Sequence, residues 1–147
     1  MSHEKTYHQL IADRIYLGGV SDVPAMVEQD GVQVIVDLRE ESTGCAAQSA
    51  DVVWTRIPLD DRPEQDQSTL FKAAIDAVVT AYRDGKKVGF HCGGGKGRTG
   101  TVATGVLLEL GLCQTLDEAE AKAKEIRPVL NMKPAQRAAL ERLYPQD

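Results

Sequence analysis

Apolar positions along this chain follow two rhythms, and their alternation predicts an α/β fold. Val32-Gln33-Val34-Ile35-Val36-Asp37-Leu38 is β-branched and almost wholly apolar, the pattern of a strand covered on both faces. Such a strand belongs in the middle of a parallel sheet. Residues 14–17 before Gly18-Gly19, residues 52–57 before Pro58 and residues 87–91 supply three further strands. Ser21 or Asp22 can cap a helix running toward Gly31, with Pro24 tolerated in its first turn. Residues 68–84 gather Leu70, Phe71, Ala74, Ile75, Val78, Val79 and Tyr82 on one helical stripe, and Gly85 suits a left-handed stop. Residues 102–108 form an apolar helix ending near Gly111. Thr115 with Glu118 makes a capping-box pattern for another helix ending near Arg127-Pro128, where Glu118/Lys122 and Glu120/Lys124 are spaced to pair. A last helix is expected over Pro134–Leu143. The expectation is one domain, residues 1–147, with a short, mostly parallel central sheet of about four to five strands flanked by helices.

Composition narrows the function classes. The length, 147 residues, suits a single hydrophobic core, and 42% apolar with 27% charged residues is an ordinary globular balance. The formal charge of −5 and the absence of any Lys/Arg run disfavour nucleic-acid binding. No apolar run approaches a membrane span and the first ten residues lack a signal-peptide pattern, so a cytoplasmic location is expected. Cysteines stand only at 45, 92 and 113 and histidines at 3, 8 and 91; neither a disulfide framework nor paired metal ligands can be built from them. No metal or other cofactor is expected.

Chemistry concentrates in His91-Cys92-Gly93-Gly94-Gly95-Lys96-Gly97-Arg98-Thr99-Gly100, five glycines between a strand and a helix. Glycines permit positive φ and remove side chains, so successive N–H groups of Gly93, Gly94, Gly95, Lys96 and Gly97 can converge on an anion at a helix start whose dipole is also positive. A cysteine at the head of that loop lies in a field that favours thiolate over thiol and should be a nucleophile. Arg98 supplies a planar fork for two equatorial phosphoryl oxygens, and Thr99 offers a hydroxyl to the sulfur. His91 is read as an orienting residue for the loop backbone, with proton transfer as its alternative. A departing alkoxide or phenoxide needs a proton, for which Asp60 and Asp61 are the candidates; a plain turn with Arg62 and Pro63 is the bland alternative.

The string His-Cys-x5-Arg-Thr over residues 91–99 resembles the signature of the cysteine-dependent protein tyrosine phosphatases, at every fixed position. Gly31-Val32 followed by Val34-Ile35-Val36-Asp37-Leu38-Arg39 is also similar to a strand of the small atypical dual-specificity phosphatases, so the resemblance spans most of the chain. It implies metal-independent hydrolysis of phosphomonoesters through a phosphocysteine, with the phosphate loop between the last strand and a helix. It implies an aspartic acid on a loop roughly thirty residues before the cysteine; Pro58-Leu59-Asp60-Asp61 puts Asp61 at the matching step and Asp60 next to it. The tail through Gln136 resembles members in which a glutamine places water, the other reading being a solvent-facing helix residue. Lys96 resembles the basic residue of phosphoinositide-directed relatives or is merely solvated. Cys45 is either an inert thiol or a partner for Cys92 under oxidation, and Cys113 is a helix-end residue.

The expected partners are phosphorylated proteins or small phosphorylated molecules, met by a monomer. With aromatic residues at 5% and no tyrosine clamp, a shallow entrance admitting phosphoserine, phosphothreonine and phosphotyrosine is expected, with phosphoinositides and inositol phosphates as the alternative. Rival chemistries carry less. Gly95-x-Gly97-x-x-Gly100 satisfies a dinucleotide fingerprint, but only helices follow it. A rhodanese-type sulfurtransferase usually has a loop one residue shorter, and a catalytically silent phosphate-binding module would not need the nucleophile, arginine and acid together.

Overall fold

The computed structural model describes residues 6–47, 51–60 and 66–145. Five strands make one sheet: β1 (His8–Ile11), β2 (Ile15–Gly19), β3 (Val34–Asp37), β4 (Val53–Arg56) and β5 (Val88–Cys92). Their spatial order is β1-β2-β5-β3-β4, and every pairing is parallel except β1 with β2. Among the described residues five α-helices accompany them, α1 (Val23–Asp30), α2 (Ser68–Arg83), α3 (Gly97–Glu109), α4 (Leu116–Ile126) and α5 (Pro134–Leu143), with a 3-10 turn at Val20–Asp22.

The alternation of side chains along the strands decides which helix covers which face. Ile15, Leu17, Val34, Val36, Val88 and Phe90 point into the larger core, beneath Phe71, Ile75 and Val78 of α2 and Val102 and Val106 of α3. Tyr16 and Ile35 point the other way, into a smaller cluster with Val23 and Met26 of α1. Position 89, paired with Tyr16 and Ile35, lies on that second face and suits glycine, since a Cβ there would stand 2.9 Å from Met26 Sδ. With both faces covered, β2, β3 and β5 are buried along their whole length, as their continuous apolar runs require.

The last strand enters the sheet's centre. The α1 crossover carries the chain from β2 past the slot that β5 later fills, and α2 brings it back from β4 into that slot. The two crossovers diverge at the carboxyl end of β5, the kind of crevice in which open α/β sheets bind ligands. Cys92 is the last residue of β5.

Three elements depart from the sequence-based expectation. Residues 8–11 form an antiparallel edge strand where none was expected, because four residues of mixed polarity carry too little periodicity to stand out. Strand β2 continues through Gly18-Gly19, which pair with His91 and Cys92; a Cβ at Gly19 would lie 2.9 Å from the Gly93 carbonyl oxygen. Helix α3 begins at Gly97, five residues before the apolar run, so Arg98 and Thr99 lie in its first turn. On α4 the Thr115 cap forms, with its hydroxyl accepting the Glu118 N–H at 3.1 Å. Glu120, however, pairs with Arg137 of α5 at 2.8 Å, and the same guanidinium also reaches Asp117 at 2.7 Å. Arg137 thus joins α4 to α5, and it also pairs with Glu141 one turn along its own helix at 3.4 Å.

Candidate active site

Between β5 and α3 the chain runs through a loop in which the carbonyls of residues 92, 93, 95 and 96 turn outward onto donors. The Val20 N–H donates to the Gly93 carbonyl at 3.0 Å, and Arg127 Nε donates to the Gly95 carbonyl at 2.9 Å. The N–H groups of Gly100 and Asn131 both donate to the Lys96 carbonyl, at 3.1 and 3.2 Å. The Nδ1 of fully buried His91 lies 3.0 Å from the Cys92 carbonyl oxygen, so this nitrogen carries the ring proton. In a planar trans peptide the N–H points opposite to the carbonyl. Outward carbonyls at 92, 93, 95 and 96 therefore turn the N–H groups of Gly93, Gly94, Lys96 and Gly97 toward the loop's interior, beside the positive end of α3.

The side chains complete an enclosure around the sulfur. Thr99 is buried and its hydroxyl donates to Cys92 Sγ at 3.0 Å. Arg98 is buried as well, and its Nη1 donates to the Leu59 carbonyl at 2.9 Å, with the Leu38 carbonyl at 3.4 Å. The two terminal nitrogens also bond separate oxygens of Glu41, at 2.8 and 2.9 Å. That hydrogen bonding holds the Glu41 carboxyl down at about 2, well below the usual carboxylate range. Burial pushes the imidazole of His91 down, so it is the neutral ring whose Nδ1–H meets the Cys92 carbonyl; its Nε2 lies 3.8 Å from Asp37 Oδ1.

Supporting residues lie one layer out. Burial pushes the carboxyl of Asp37 up, yet bonds from Arg39, Ser42 and Trp54 bring it down to about 2. Asp22 accepts the Gly19 N–H at 2.8 Å, fixing the end of β2 against the loop. Arg127, besides holding Gly95, donates to the Thr6 carbonyl at 2.6 Å and meets His8 Nδ1 at 2.9 Å.

Cys92, His91, Arg98 and Thr99 and the glycines thus come together, with the Lys96 side chain exposed at the rim. Asp60 follows directly on Leu59, the residue held by Arg98, and its N–H donates to Gln67 Oε1 at 3.1 Å, which ties the start of this loop to its end at α2. Asp61 lies outside the described residues. Gln136 is not the solvent-facing residue that one expectation allowed: it is buried, and its Oε1 accepts from the Lys133 N–H at 2.9 Å and from Thr101 at 3.4 Å. Helix α5 packs against α2 and α3, which turns this position inward. Cys45 packs in the cluster beneath α1, and all three cysteines are free thiols. Among the described residues no group of three His, Cys, Asp or Glu side chains could hold a metal ion, and no helix is long and apolar enough to cross a membrane.

Sequence reasoning missed Glu41, Asp22 and Arg127. Glu41 stands in a polar stretch that reads as an ordinary loop, and only the fold brings it to Arg98. Arg127 was legible as a helix end; its burial against the Gly95 carbonyl was not.

Gly95 shows how tightly the loop is fitted. Its φ is +71°, and a Cβ would lie 2.6 Å from the Gly18 carbonyl carbon and 2.6 Å from Arg127 Nη2. Gly95→Ala is expected to destabilise the protein by about 1–3 kcal/mol, through left-handed strain and the forced shift of β2. Denaturant unfolding checks this, and an unchanged midpoint would mean that the loop relaxes freely.

Comparison with known proteins agrees with this geometry. Residues 15–144 match the family described as "Dual specificity phosphatase, catalytic domain". The chain is 27% identical over 124 residues to tyrosine-protein phosphatase vhp-1 of Caenorhabditis elegans, covering 83% of this chain and 19% of that protein. It is 26% identical over 121 residues to dual specificity phosphatase 28 of Mus musculus, covering 81% of this chain and 72% of that protein. A crystal structure of a mouse dual specificity phosphatase complexed with zinc tungstate superimposes with a TM-score of 0.84 at 21% identity, covering 98% of this chain and 89% of that one.

Proposed function

Because the chain belongs to the dual specificity phosphatase catalytic-domain family, we propose that it hydrolyses phosphomonoesters on phosphorylated proteins through a phosphocysteine at Cys92. The observation that carries this is the sulfur at the carboxyl end of the central strand, bonded by Thr99 at 3.0 Å and enclosed by a loop whose N–H groups turn inward.

The sulfur attacks phosphorus opposite the ester oxygen, forming S–P as P–O breaks. The three equatorial oxygens take their hydrogen bonds from the N–H groups of residues 93–97 and from Arg98. The leaving oxygen takes a proton from an aspartic acid, Asp61 or its neighbour Asp60, on the segment that follows the Arg98-held Leu59. Water then attacks phosphorus, the same aspartate accepts its proton, and the sulfur leaves with the Thr99 hydroxyl bonded to it, releasing orthophosphate. His91 holds the loop backbone and Gln136 supports the second turn of α3 through Thr101. No metal enters this scheme.

Two experiments bear on it. Asp61→Asn is expected to lower kcat for an alkyl phosphate by roughly 10²–10³-fold and for an activated aryl phosphate much less, since only the poor leaving group needs the proton. A larger loss from Asp60→Asn would move the role to Asp60, and equal losses on both esters would remove acid catalysis from this segment. Phosphate release from phosphopeptides, phosphoinositides and inositol phosphates, with and without chelator, tests the substrate class. Phosphopeptide turnover that survives chelator is the expected result. Turnover confined to phosphoinositides would favour the role of Lys96 as a headgroup contact, and a strict need for added metal would contradict the scheme.

A further inference from the structure

Two histidines near the cradle carry opposite tautomers. His91 donates from Nδ1, whereas His8 must accept at Nδ1: that nitrogen lies 2.9 Å from Arg127 Nη1, and a guanidinium has only N–H groups to offer. His8 is therefore a neutral ring with its proton on Nε2. The same Nη1 donates to the Thr6 carbonyl at 2.6 Å, and Nε donates to the Gly95 carbonyl at 2.9 Å.

These contacts fasten the chain around the start of β1 to the cradle in two places. Arg127 reaches from residues 6 and 8 to Gly95, and the carbonyl it holds there aims the Lys96 N–H of the same peptide at the cradle's interior. The Thr6 hydroxyl bonds Asp22, whose carboxylate accepts the Gly19 N–H at 2.8 Å where β2 pairs with Cys92. Arg127 is buried, which works against its charge, while Asp22 and Cys92 work for it. His8 is only half-buried, so a proton from solvent can reach the ring on which that guanidinium leans. The charged groups that face His8 are Arg127, from the end of α4, and Asp22, from the turn between β2 and α1; its partner strand sets Leu17 opposite it. Burial and then the Arg127 charge push the imidazole below its ordinary value, with Asp22 pulling the other way.

Resting on the phosphatase reading above, we propose that His8 is a proton-sensitive positioning residue: neutral, it braces Arg127 against the phosphate loop, and protonated it lets the brace go. A proton on Nδ1 sets N–H against N–H across 2.9 Å and puts two cations side by side, so the ring swings toward water while the buried guanidinium stays. Arg127 then loses the acceptor that fixes its plane, and its hold on the Gly95 carbonyl loosens with it. An imidazolium in water is screened and does little for an anion in the cradle, whereas an N–H no longer aimed is lost to a charged oxygen outright. The net effect is weaker phosphate binding. Because the folded chain holds the His8 pKa below its free value, the brace is complete above about pH 6.5 and is lost as the pH falls through the lower folded value.

The test uses the full chain, with orthophosphate binding measured by calorimetry and aryl phosphate hydrolysis by steady-state kinetics, each from about pH 8 to about pH 5. In His8→Asn the amide oxygen falls where Nδ1 stands and does not titrate. Dividing by wild type at the same pH cancels the titrations of phosphate, His91 and the aspartic acid. The variant's relative phosphate affinity and kcat/KM are then expected to rise roughly three- to tenfold from the top of the range to the bottom. His8→Leu, with no acceptor, should bind phosphate more weakly than wild type near pH 8 and converge on it near pH 5, and serves if the asparagine variant does not fold. Ratios that stay flat with pH in a folded variant would overturn the proposal and leave His8 a residue of the strand only, as would ratios that fall in acid. If wild type neither binds orthophosphate nor turns over substrate at any pH, the phosphatase reading fails and the proposal with it.

Discussion

Cys92→Ser is expected to reduce kcat/KM for an aryl phosphate by roughly 10⁴–10⁶-fold while the protein stays folded. The substitution removes almost no volume and sits at the end of a fully buried strand, so the core beneath α2 and α3 has little to repack. What it removes is the nucleophile. A thiol is intrinsically far more acidic and more nucleophilic than an alcohol, and the donors of the loop cannot make up a difference of that size for a serine hydroxyl. Thr99 would then bond a hydroxyl in place of sulfur across the same 3.0 Å gap. The remaining N–H groups and Arg98 are untouched, so orthophosphate should still bind. Retained folding and phosphate affinity with lost turnover isolates the chemical step. Rates within tenfold of wild type would remove Cys92 from the mechanism and leave the enclosure to some other nucleophile.

The sheet was legible in the sequence wherever burial is two-sided, because continuous β-branched runs such as Val34-Ile35-Val36 have few other places to go. The loop from Cys92 to Gly100 was legible because five glycines around a cysteine and an arginine have no purpose in an ordinary turn. Helix α3 was read as starting late because glycine is a poor helix former; Gly97 opens the helix at the end of the loop, and Gly100 packs where a Cβ would lie 3.4 Å from Leu130 Cβ. Long-range partners were invisible. Glu41 lies 57 residues from Arg98 and Arg127 lies 32 residues from Gly95. A charged residue in a polar stretch carries no sign of the surface it will meet, so neither contact could be read before the fold brought the elements together.

Arg98→Lys is expected to lower kcat/KM by roughly 10²–10³-fold, although the charge is kept. The guanidinium does three things at once: Nη1 holds the Leu59 carbonyl at 2.9 Å, both terminal nitrogens face two oxygens of a single anion, and the whole group is buried between Leu38, just past the carboxyl end of β3, and Leu59. An ammonium is a compact point charge with three tetrahedral donors. It cannot span two oxygens of one planar edge while also reaching a carbonyl on the far side, so either the phosphoryl group or Leu59 loses its partner. The first loss weakens stabilisation of the equatorial oxygens as charge builds on them, which lowers kcat; the second frees the segment that carries the candidate acids. Both fall on the transition state more than on the ground state, so kcat should drop by a larger factor than KM rises. The split is read from steady-state kinetics on an aryl phosphate. A change confined to KM would mean that Arg98 only collects phosphate from solution and takes no part in the displacement.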